Sequence, residues 1–155
     1  ISDIDSEIPF SCAFLRIKLV ISSLVLTLSF NNNKSSSVNN FNKSESLFKF
    51  FLSIYEEELK DLNFELMTPE NRDERGSHIS IKHEEAWRIS KCLISPVNQN
   101  SKEIIVDYRP KNIIRIALTP LYTSFEDIYC FCFRVIEIIK KGEFKNKDSS
   151  MQGVT

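Results

Sequence analysis

The sequence predicts an α+β domain: a small, mostly antiparallel sheet of three to four strands covered by helices on one side. Two stretches, 44–59 and 124–141, repeat their apolar residues at helical spacing. Two others, 77–81 and 113–119, show the two-residue alternation of strands. A third strand candidate, 103–108, is parted from 113–119 by Arg109-Pro110-Lys111-Asn112, which suits a hairpin turn.

Taken in order, residues 8–30 form an apolar stretch broken by Arg16 and Lys18. Its cleanest run, Leu19–Phe30, has 12 residues, whereas a membrane span needs about 20. The segment before it is acidic (Asp3, Asp5, Glu7), unlike the positive start of a signal peptide. Ile1 stands where an initiating Met is expected, so the chain is read as beginning inside a longer reading frame or as a processed or fragmentary product. Residues 31–42 contain six Asn and three Ser and are read as a linker or loop.

Asn42, with Glu45 three residues on, can cap a helix over 44–59 whose apolar side is Leu47, Phe48, Phe51, Leu52, Ile54, Tyr55 and Leu59 and whose outer side is Glu56, Glu57 and Lys60. A loop follows to Arg75, and Gly76 is expected to end it in a turn that other residues would resist. After the strand at Ser77–Ile81, Glu84–Ile94 places Ala86, Ile89, Ser90 and Leu93 on one helical face. Residues 96–102 are a polar connection. Ser124 with Asp127 forms a capping box for the last helix, and Lys140-Lys141-Gly142 closes it.

Composition excludes several functions. With 155 residues and 42% hydrophobic content, a packed core is possible without metals or disulfides. A net charge of −1 lacks the basic footprint of a general nucleic-acid binder. Three glycines provide no glycine-rich loop to cradle phosphates. Cys12, Cys92, Cys130 and Cys132 are read as ordinary buried thiols in a reducing compartment, since Cys130 and Cys132 diverge on a helix and neither His78 nor His83 lies in a zinc motif, and a cytoplasmic location is expected. No catalytic residue or metal ligand is assigned. His78 reads as a polar edge residue, Trp87 and the phenylalanines of 47–52 as core, and Glu56-Glu57-Glu58 as a solvated helix face.

One residue resists its surroundings. In IIRIALT, Ile114, Ile116 and Leu118 share one face of the strand and Ile113, Arg115 and Ala117 the other. A guanidinium there must have its charge met. Two readings stay open: an internal pair, with Asp107 on the neighbouring strand as partner, or a planar fork for an anionic ligand.

Two blocks, MTPENRDERGSHISIKH at 67–83 and IVDYRPKNIIRIALTPLYTSFEDIY at 105–129, resemble the C-terminal small domain of kynureninase, a pyridoxal-phosphate enzyme of the aminotransferase fold. The most specific elements are RGSHIS and RIALTPLYTSF, and the likeness covers roughly 44–145. It implies hydrolytic cleavage of L-kynurenine or 3-hydroxykynurenine to anthranilate or 3-hydroxyanthranilate and L-alanine by a homodimer. It also aligns Arg115 with the arginine that binds the substrate α-carboxylate, which favours the ligand reading, and leaves structural roles to RGSH and to Asp107-Tyr108-Arg109. The family's Schiff-base lysine, its aspartate facing the pyridine nitrogen and its phosphate-binding groups belong to a larger domain with no counterpart here, so this chain alone is expected not to hold pyridoxal phosphate. The expected organisation is a poorly ordered lead-in over 1–43, the small domain over 44–145 and a disordered tail over 146–155. The alternatives are a non-catalytic α+β domain that binds a protein partner and, more remotely, a carboxylate sensor built on Arg115. No nucleic-acid or membrane partner is expected.

Overall fold

In the computed structural model, residues 36–96 and 103–149 are described. The lead-in before 36, the polar connection 97–102 and the end of the tail lie outside them. The first helix, α1, spans Ser36–Ile54 and continues through a π turn, Tyr55–Leu59, and a 3-10 turn, Lys60–Leu62. It starts eight residues before the predicted 44, inside the Asn/Ser run. Each Ser or Asn in a helix costs only some tenths of a kcal/mol against Ala, and adding residues to an existing helix is far easier than nucleating one. Asn42 is therefore an interior residue, not a cap, and its carbonyl accepts from the Ser46 hydroxyl at 2.9 Å.

Strand β1, Glu65–Leu66, has no counterpart in the prediction, because two residues carry no period. Tyr55 places it: its hydroxyl donates to the Phe64 carbonyl at 3.0 Å and accepts from the Leu66 N–H at 3.1 Å. Then come β2 (His78–Lys82), α2 (Ala86–Ile94), β3 (Asp107–Arg109), β4 (Ile113–Ala117) and α3 (Phe125–Lys141). The sheet order is β1-β2-β4-β3, antiparallel throughout. The predicted α+β class and the β3–β4 hairpin are both present, with Lys111 and Asn112 in the left-handed region at φ 70° and 63°.

Three local expectations are corrected. The strand expected over 103–108 pairs only from Asp107, since the Ile104 N–H is taken by the Leu93 carbonyl at the end of α2, 2.9 Å away. That carbonyl is one of the groups a helix end leaves open. Gly76 has no left-handed backbone, and a Cβ built on it would meet nothing within 4 Å. Gly142, in contrast, closes α3 at φ 67°. At the other end of α3 the capping box forms as predicted: Ser124 Oγ accepts from the Asp127 N–H and the Asp127 carboxylate accepts from the Ser124 N–H.

The sheet has two unlike faces. Ile79, Ile81 and Ile114 are fully buried on the helical side, where Trp87 of α2 packs edge-on against Tyr108 with ring centroids 5.0 Å apart. Helices α1 and α3 complete the core with Leu47, Phe48, Phe51, Ile54, Ile128, Phe131, Val135 and Ile138. The phenylalanines are core, as predicted. Arg75 of the RGSH segment is almost buried over the Phe48 ring, 3.6 Å from its centroid, and pairs with Glu45, which fixes the 67–77 loop to α1. Among the described residues no helix is long and apolar enough to cross a membrane.

The two-faced register has a direct consequence for stability. Ile114→Ala should lower unfolding free energy by about 2–5 kcal/mol in urea titrations, while Ile113→Ala, its neighbour on the opposite face, should lose about 1 kcal/mol or less. Equal losses would contradict the burial pattern.

Candidate functional site

The face of the sheet turned away from the helices is set by the pairing of β2 with β4 and of β4 with β3. Alternation brings Ser80, Arg115 and Asp107 into one cross-strand row, with His78–Ala117 to one side and Lys82–Ile113–Arg109 to the other. None of these residues is buried. Arg115 occupies the middle of the row.

Its guanidinium is met in the way the first of the two open readings foresaw. Arg115 Nη2 donates to Asp107 Oδ2 at 2.6 Å. The same oxygen accepts from Arg109 Nε at 2.8 Å, a contact the sequence reading missed. The signal was available, because residues 107 and 109 share a face of any strand. Partial burial pushes the Asp107 carboxyl up, but the hydrogen bonds and charges of Arg115 and Arg109 outweigh it and hold the group below the usual carboxylate range. Asp107 is thus ionised at neutral pH, and the two arginines and one aspartate leave one uncompensated positive charge. Lys82, the other cation on this face, is occupied by Glu65 at 2.8 Å. His78 is exposed on the open face, opposite Ala117.

A depression of about 430 Å³ lies elsewhere, lined by Asp61, Leu62, Asn63, His83, Glu84, Glu85, Ile139, Phe144 and Lys145. Three acids and one lysine would repel a phosphate. The lining of this depression therefore does not fit the phosphate of pyridoxal phosphate. No group of three His, Cys, Asp or Glu among the described residues can hold a metal ion. Cys92, Cys130 and Cys132 are free, and burial pushes the Cys92 and Cys132 thiols up, away from the reactive thiolate.

The fold and this face define a class: an α+β domain that covers one side of an antiparallel sheet with helices and displays an anchored cation on the other. The family model described as "Kynureninase C-terminal domain" matches residues 41–135. The chain belongs to that family. It is 39% identical over 99 residues to a kynureninase of Geobacillus thermodenitrificans, an alignment covering 64% of this chain and 21% of that protein. A kynureninase of Bacillus mycoides is 31% identical over 112 residues, 72% of this chain and 25% of its own length. One from Christiangramia forsetii is 36% identical over 102 residues, covering 65% and 21%. The chain therefore spans about a quarter or less of these curated relatives.

His83 yields a pH prediction. It is buried, its ring lies 4.6 Å from that of Phe64, and its Nδ1 accepts from the Glu85 N–H at 3.0 Å. Burial lowers its pKa, and the opposing pull of Glu84, Glu85 and the Leu62 carbonyl does not restore it. The fold therefore prefers the neutral ring, while the unfolded chain takes up a proton near pH 6.5. This stabilisation is complete above that pH and is lost as pH falls below it. Melting temperature should drop between pH 7.5 and 5, and the drop should shrink in His83→Gln. An unchanged slope in the variant would assign the effect to other groups.

Proposed function

We propose that this chain serves as the small C-terminal domain of a kynureninase and that Arg115 binds the α-carboxylate of L-kynurenine or its 3-hydroxy form. The observation that carries the reading is the position of Arg115: it is centred on the open face, inside the family match, and Asp107 engages only one of its nitrogens. A guanidinium has five N–H donors, so most of the fork is left for a planar carboxylate. Fixing that carboxylate holds the rest of the amino acid in one orientation, which is the protein's share of such a reaction. The cofactor of the complete enzyme, pyridoxal phosphate, is bound by residues other than those described. The reading includes a small domain over residues 44–145 preceded by a lead-in, a homodimer as the complete assembly and a cytoplasmic location.

The test is a chimera. Residues 44–145 replace the corresponding domain of the Geobacillus thermodenitrificans kynureninase, and anthranilate formation from L-kynurenine is followed by fluorescence. The chimera should be active. Arg115→Ala within it should lower kcat/KM by about 10- to 100-fold, the magnitude of lost charge-assisted hydrogen bonds. An active chimera that Arg115→Ala leaves within about twofold would remove the assignment. The 155-residue chain alone, mixed with pyridoxal phosphate and L-kynurenine, should give no anthranilate.

A further inference from the structure

We propose that Asp107, beyond meeting the charge of Arg115, is a positioning residue that pre-orients its guanidinium for carboxylate capture, an inference that rests on the ligand role of Arg115. An arginine rising from mid-strand on an open face has many rotamers, and any carboxylate that binds it must first select one. Asp107 stands directly opposite Arg115 in the β3–β4 register and holds Nη2 through a single oxygen. One corner of the planar group is fixed and the remaining N–H donors stay available.

Arg109 is what distinguishes this from a self-satisfied ion pair. An isolated Arg–Asp pair is neutral and has little attraction for a further anion. Here Asp107 Oδ2 is shared with Arg109, so the aspartate restrains Arg115 while the trio stays cationic. Lys82 does not disturb the arrangement, because Glu65 holds it. The site thus reads a single carboxylate, with Arg115 contacting it and Asp107 acting through Arg115. Arg109 maintains the charge.

The sign of the effect makes the idea testable. Removing Asp107 raises the positive charge of the face, which by itself would strengthen anion binding. Positioning requires the opposite. Using the full 155-residue chain labelled with ¹⁵N-arginine, the Arg115 Nε–Hε signal is followed at fixed ionic strength as L-alanine is added, and its fast-motion order is measured without ligand. Asp107→Ala should loosen the Nε–Hε vector and weaken L-alanine binding about 3- to 10-fold, the cost of ordering one long side chain. Asp107→Asn, which keeps an oxygen acceptor, should retain most of the order and stay within about twofold of wild type. Tighter binding in both variants would make Asp107 a competitor, and unchanged order and affinity would make it a bystander; either result overturns the proposal. Arg115→Ala separates the two levels: if it binds L-alanine as wild type does, the ligand role of Arg115 has failed, whereas its loss of binding beside an indifferent Asp107→Ala condemns only the positioning role.

Discussion

The pairing of β2 with β4 is the constraint on which the rest of the molecule turns. Its register sets Ile79 against Ile116 and Ile81 against Ile114 on one side, and Ser80 against Arg115 on the other. Side chains alternate with a period of two, so a slip of one residue would drive Arg115 into the helical layer and expose the isoleucines. The desolvation of an unpaired guanidinium would then add to the lost apolar burial, and both penalties point the same way. The charge displayed on the open face thus also guards the register that presents it.

The arginines of the domain show how differently one side chain can be employed. Arg134 in α3 is almost buried and held by Glu137 and by both oxygens of Glu143, at 2.6 to 3.0 Å. Arg75 is equally hidden, stacked on Phe48 and paired with Glu45. Each is enclosed by its own partners and fastens one segment to another: the turn after α3 in the first case, the 67–77 loop in the second. Arg115 is about a third exposed and engaged through a single nitrogen. Burial and partner number thus separate these two enclosed cations from Arg115, and of the three only Arg115 lies on the open side of the sheet.

Much of this was legible in the sequence because it rests on local rules. Period-2 alternation found β2 and β4, and a proline and an asparagine found the hairpin partner of β4. Ser124, Asp127 and Gly142 marked both ends of α3 through backbone hydrogen bonding that needs no tertiary information. The misses have the opposite character. Strand β1 exists because the Tyr55 hydroxyl, ten residues earlier in the chain, holds it in place. Residues 103–106 carry the β-branched, apolar composition of a strand, yet the Ile104 N–H is taken by a helix terminus. Helix α1 runs back through an Asn/Ser stretch because extending a packed helix is easy, whatever the propensity of its added residues. In the site, Asp107 was the candidate partner of Arg115 under one of the two open readings, and the sharing by Arg109 follows from how two side chains converge on one oxygen.

The distribution of charge bears on what such a face can bind. A net charge of −1 says nothing of local potential, because the signs are segregated. Asp61, Glu84 and Glu85 gather around the depression beside His83, while the open sheet face carries Arg109, Arg115 and Lys82. Of those three cations, Glu65 neutralises one and Asp107 offsets another. A polyanion seeks a row of free cations and gains by releasing counterions along it. This face offers one surplus charge on a planar, partly anchored fork. That is the complement of a single carboxylate on a small molecule, so a net charge of −1 is compatible with the role proposed for Arg115.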